Sequence, residues 1–168
     1  MLRKLVLKNK ALNKSNLKDI NKFAHLGNFQ KKLKTFKSDY ENFESFIDDF
    51  EKYLETQIET PSLRLNSQDR IFEGIVNRLD VLSDFKKIAI RIYLESQKNP
   101  KLFIILNKYI HKYFSGFLKS PISLITSYLI YIYSFNIWIE DDEKMDKTMA
   151  AIGNSFEGMN KIKSFIKI

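Results

Sequence analysis

Ser120–Ile139, SPISLITSYLIYIYSFNIWI, runs twenty residues without a charged side chain, and its reading decides the fold. Twenty residues suffice to cross a bilayer as a helix. Pro121, Ser123, Thr126, Ser127, Ser134 and Asn136 hold its apolarity to a moderate level, however. A fully buried central helix of an all-α domain therefore accounts for it better than a membrane span.

Working outward, the preceding segment 101–114 is also apolar around much of its circumference, with Leu102, Phe103, Ile104, Ile105, Leu106, Tyr109, Ile110, Tyr113 and Phe114. A chain of 168 residues has limited interior to hide two such helices. They line a ligand cavity, form a dimer interface, or do both. Fourteen Phe and eight Tyr suit an aromatic-lined pocket, and equally suit plain core. The candidate pocket set is Phe103, Leu106, Tyr109, Ile110, Tyr113, Tyr128, Tyr131 and Phe135. His111 sits among these aromatics, as a hydrogen-bonding group toward a ligand or as a satisfied core histidine.

The rest of the chain keeps a helical period. Phe43, Phe46, Ile47, Phe50, Tyr53, Leu54 and Ile58 mark one stripe, starting from a cap at Ser38 and ending before Pro61. Ile71, Phe72, Ile75, Val76, Leu79 and Leu82 mark the next, with Ser67 as its cap. Ile88, Ile92 and Tyr93 belong to a third that ends near Asn99-Pro100. Breaks are expected at Ser115-Gly116 and Ser120-Pro121, and a last helix from about Lys144. No stretch alternates with period two, and five Gly and three Pro are too few for a turn-rich β fold. The expected class is all-α.

Chemistry is scarce. The chain has no cysteine, which excludes disulfides, thiolate catalysis and cysteine-ligated metal. His25 and His111 are its two histidines, too few for a histidine metal cluster or a triad. No phosphate-cradling glycine loop, nucleophile elbow or HExxH is present. Asp141-Asp142-Glu143 reads as a cap for the last helix, where negative charge is favoured, and not as a metal site. No catalytic residue, cofactor or metal is expected.

The formal charge is +8 and the pI about 9.5, so the expected partner is anionic, either nucleic acid or a membrane surface. Residues 1–38 hold most of the imbalance, with Lys31, Lys32 and Lys34 among eleven basic side chains against Asp19. Lysine exceeds arginine, which suits general attraction better than bidentate base reading. No secretory signal is evident at the start, where Leu5-Val6-Leu7 is too short for an h-region. At the other end, Ile152, Phe156, Met159, Ile162 and Ile166 share a helical face, with Lys161, Lys163 and Lys167 off it. An apolar stripe flanked by lysines suits an interfacial helix, so Phe156, Met159, Ile162, Phe165, Ile166, Lys161 and Lys163 are the candidate membrane contacts. The same stripe also suits packing on the domain or on a partner.

Three segments carry a family resemblance. Residues 16–42, NLKDINKFAHLGNFQKKLKTFKSDYEN, look like a worn TetR-type helix-turn-helix, with Leu17, Ile20, Ala24 and Leu26 at its small core. His25 stands where that turn usually has Gly, and Asn21 where the first helix usually has Ala. Arg70–Leu82, RIFEGIVNRLDVL, and Trp138–Met149, WIEDDEKMDKTM, resemble stretches of TetR-like proteins related to the ubiquinone-biosynthesis lipid-binding family (Coq-nine). The similarity covers roughly residues 16–155. It implies a TetR-like helical bundle with a short, degenerate helix-turn-helix at 1–38, a ligand-binding domain at 39–143 and an amphipathic helix at 144–168.

The function so implied is non-enzymatic. A membrane-associated protein of ubiquinone biosynthesis would bind an isoprenoid quinone precursor and present it to a quinone-ring hydroxylase (Coq-seven type). It is expected to be a homodimer in the bacterial cytoplasm, peripheral to the inner membrane. The alternative is a TetR-like regulator binding DNA through Lys31, Lys32 and Lys34, although Gln30 is the one nearby side chain suited to base reading. A ligand-free helical adaptor is the third reading.

Overall fold

Asn66 caps the helix that begins at Ser67. Its carboxamide oxygen accepts from the N–H groups of Gln68 and Asp69, both at 2.9 Å, and its amide donates to Asp69 at 2.6 Å. Two of the donors that a helix N-terminus leaves without a partner are thereby satisfied. The cap is therefore Asn66, one residue ahead of the expected Ser67, which is the helix's first residue.

The computed structural model describes residues 43–142 and 144–166, with side chains over 44–142 and 144–159. Among them are six helices: α1 (Phe43–Gln57), α2 (Ser67–Ser83), α3 (Lys86–Lys98), α4 (Pro100–Phe117), α5 (Pro121–Trp138) and α6 (Asp146–Ile166). No strand occurs among the described residues, which are all-α as their periodicity requires. The expected Ser38 cap and the helix-turn-helix segment lie outside the described residues.

Two boundaries follow local chemistry closely. α3 ends at Lys98, and Asn99 then caps α4, its side chain accepting from the N–H of Lys101 at 3.0 Å while Pro100 takes the first helical position. α4 does not break at Ser115-Gly116. It runs on to Phe117, because one helical glycine costs only about 1 kcal/mol and the burial of Phe117 and Leu118 offsets it.

The described residues divide into two compact units, 43–57 with 84–108 and 58–83 with 109–166, so α4 lends its first half to one and its second half to the other. In the first unit, α1 buries Phe46, Ile47, Phe50 and Leu54, and α3 buries Ile88, Ala89 and Ile92. Phe85 meets the ring edges of Phe50 and Tyr53 with centroids 5.6 and 5.7 Å away. Lys101 reaches Glu44 at 2.7 Å across this unit.

In the second unit α5 packs on both α2 and α6, and α6 also touches α2. An aromatic series runs through its core: Phe114 to Tyr131, Tyr131 to Phe135, and Phe135 to the fully buried Trp138, each step 5.2–5.9 Å. Trp138 Nε1 donates to Ser83 Oγ at 3.2 Å, tying the end of α5 to the end of α2. Arg78 is buried beside this series. Its guanidinium lies 5.6 and 5.7 Å from the ring centroids of Tyr113 and Tyr131, and its Nε donates to Tyr131 Oη at 3.2 Å. Two aromatic rings and a hydroxyl acceptor offset the loss of hydration for such a cation. Arg70 has another task, donating to the carbonyls of Leu63, Leu65 and Phe117 and so fastening the α1–α2 connection within this unit.

The α5–α6 corner is built on Asp141, whose carboxylate accepts from the backbone N–H and the hydroxyl of Thr148, both at 2.7 Å. The acidic run thus supplies a cap to α6 through Asp141. Burial alone would raise this carboxyl, but the Thr148 and Asp142 donors outweigh it and hold it below the ordinary carboxylate range. Met145, in the same corner, is buried at a left-handed φ of 55°.

Candidate functional site

α4 closes on Phe117 and Leu118, both buried, and Ser120 with Pro121 starts α5 immediately afterwards. Proline at the first helical position is preset for the turn and sacrifices no hydrogen bond. This short link leaves a groove at the junction, where Pro121, Leu124, Ile125, Tyr128 and Leu129 of α5 meet His111 and Phe114 of α4. The spacing of the α5 residues is that of one continuous helical strip.

The groove has a volume of 320 Å³ and its lining is apolar except for the imidazole of His111 and the Tyr128 hydroxyl. Its floor is rigid. Phe114 is 1% exposed and meets Tyr113, Phe117 and Tyr131 edge-on at 5.2, 5.9 and 5.7 Å. Tyr113 Oη in turn donates to the Gly74 carbonyl at 2.9 Å, and burial pushes that phenol well above its ordinary range, with Arg78 opposing. A void of this size and character accepts a hydrocarbon chain or small ring system. Its lining holds no carboxylate, serine or threonine for bond making.

The pocket set drawn from sequence and this groove share Tyr128 alone. Ile110, Tyr131 and Phe135 are buried core, Tyr113 serves Gly74 and Arg78, and Leu106 and Tyr109 are half-buried away from the groove lining. Phe103 is 48% exposed. The correction is one of phase. Size groups those aromatics together, but the helix turns Tyr131 and Phe135 into the packed side of the unit. Sequence does not separate Leu124, Ile125 and Leu129 from their apolar neighbours, because α5 has no charged face from which to set its rotation.

For the tail, Phe156 is buried and Met159 half-buried, so Phe156 packs inward and is unavailable to a membrane. The side chains of Lys161, Ile162, Lys163, Phe165 and Ile166 lie outside those described, as do Lys31, Lys32 and Lys34. Among the described residues no group of three or more histidines and carboxylates converges as a metal site, and no helix is long and apolar enough to cross a membrane. No protein-family model, curated protein or solved structure matches the chain.

Proposed function

We propose that this chain is a non-enzymatic lipid-binding protein that takes an isoprenoid-type chain into the groove at the α4–α5 junction. The observation that carries the reading is the apolar lining of that groove, bordered by the single imidazole of His111. Apolar walls favour a hydrocarbon tail, at roughly 0.8 kcal/mol per CH₂ removed from water, and His111 offers one hydrogen bond to a polar end. The finer identity, a quinone precursor presented to a ring hydroxylase at the inner face of a bacterial membrane, rests on the resemblance of Arg70–Leu82 and Trp138–Met149 to the Coq-nine group. The TetR-like assignment of the bundle rests on the same segments. The net charge of +8 supports an anionic membrane surface as the place of loading.

The test is mass spectrometry of organic extracts of the purified protein, paired with titration of a short-chain isoprenoid quinone. Lipid recovered from the wild type and lost from Leu124→Trp, which fills the groove, supports the reading. No recovered lipid, no quinone binding and a defined operator in a DNA selection would replace it with the regulator.

A further inference from the structure

We propose that the ligand of the α4–α5 groove is a single-chain amphiphile whose head is an anion, a carboxylate or a phosphate monoester. The inference rests on the reading that the groove holds hydrocarbon, and it adds the size and the charge of what enters. At roughly 30 Å³ for a group the size of water, a void of 320 Å³ houses about ten such groups. That is the small end of ligand pockets, enough for one chain and too little for the paired chains of a diacyl lipid.

The lining is polar at one end only. Six residues carry His111 about 9 Å back along α4 from Phe117, and seven carry Tyr128 about 10 Å along α5 from Pro121. Imidazole and phenol therefore both stand away from the corner at the junction, whose walls are Phe114, Pro121, Leu124 and Ile125. A chain seats its tail in that corner and its head beside His111. His111 is exposed, so a charged head keeps part of its water and escapes the penalty of full burial.

The sign of the head follows from what surrounds His111. Lys108 stands about one turn before it on α4 and Lys112 directly after it, both exposed. Each is within one helical turn of the imidazole, inside the ~10 Å screening length at 0.1 M salt. Nothing opposes them locally: residues 96–139, which include the whole of α4 and α5, hold five lysines and no acidic side chain. No carboxylate from any other element lines the groove. An anion here meets ammonium groups and a ring N–H, and such charge-assisted bonds are about twice as strong as neutral ones. A neutral head gains one ordinary hydrogen bond, and a cationic head meets its own sign.

Isothermal titration calorimetry of the full chain with decanoate, geranyl phosphate, decanol and decyltrimethylammonium tests it. At about 0.02 M salt at least one anion should bind about 5-fold or more tighter than decanol, with the cation weakest. The tighter anion identifies the head as carboxylate or phosphate. Raising salt to about 0.5 M should narrow the gap. Lys108→Glu combined with Lys112→Glu, both at exposed positions, should erase the preference with unchanged helical circular dichroism. Leu124→Trp should abolish anion binding and so place it in the groove. Decanol or the cation binding as tightly as both anions would overturn the proposal and leave the hydrocarbon reading standing. So would a preference that survives the lysine exchange or the filled groove. A chain that binds none of the four compounds would sink both.

Discussion

Gly74→Ala sets two helix effects against each other at one position. Alanine in a helix interior is ordinarily favoured over glycine by about 1 kcal/mol. At Gly74, however, an added Cβ would stand 2.5 Å from Phe117 Cζ and 3.0 Å from its Cε2. Ordinary contact begins near 3.4 Å, so the ring must retreat by about 1 Å. It has little room, being 1% exposed and held edge-on by Tyr113 and Phe114 at 5.2 and 5.9 Å. Overpacking of this kind costs about 1–3 kcal/mol and sometimes more. Less the propensity gain, the net is a loss of up to about 2 kcal/mol, or a fall in Tm of up to about 8 °C for a chain of this size. Gly116→Ala and Gly153→Ala are the controls, because a Cβ at either meets nothing within 4 Å. Each should gain up to about 1 kcal/mol. Urea unfolding followed by circular dichroism measures all three, and Phe117→Leu in the Gly74→Ala background should recover part of the loss. If Gly74→Ala stabilised as much as Gly116→Ala, the close approach of α2 to α4 in this unit would be refuted.

Three further outcomes follow from the same geometry. Asn66→Ala removes the α2 cap and should cost about 1 kcal/mol in urea unfolding, with Asn66→Asp retaining most of it. The depressed Asp141 carboxyl contributes stability that is complete above its unfolded pKa near 4 and is lost as pH falls through the lower folded value. Asp141→Asn should therefore flatten the acid limb of the stability profile below about pH 4, while an unchanged limb would place that titration elsewhere. Tyr113 is raised, so its contribution is complete below about pH 10 and lost as pH climbs toward the folded value. Ultraviolet titration of the native protein should show a phenol that resists ionisation well above the ordinary tyrosine range and is absent in Tyr113→Phe.

Helix existence was legible because apolar spacing survives any tertiary arrangement, and α2 and α3 lie close to where their stripes place them. Rotation was legible only where a polar face opposes the apolar one. α1 has such a face, and Phe46, Phe50 and Leu54 fall inward together. α5 does not, and nothing local distinguishes inward Tyr131 from outward Leu129. The groove is hidden from sequence for that reason, since its walls come from the exposed half of a helix that composition marks as wholly buried. Ser115-Gly116 reads as a stop, but a stop needs a conformational demand, and the burial of Phe117 and Leu118 extends α4 past it. Arg70 and Arg78 stand in a motif that carries the resemblance, yet their tasks, carbonyl fastening and a place beside two rings, depend on partners 47 and 53 residues away.

The corner before α6 has a consequence of its own. Met145 holds a left-handed backbone with a full side chain, a shape that costs an L-residue about 1–2 kcal/mol and glycine almost nothing. Its side chain is buried, with the thioether 3.9 Å from Ser83 Oγ, and that burial holds the bend in place. The bend is thus held against its own preference, by the packing of Met145 together with the Asp141–Thr148 hydrogen bonds that start the last helix. Oxidising that sulfur would add a polar oxygen at a buried position and remove packing that offsets the cost of the bend.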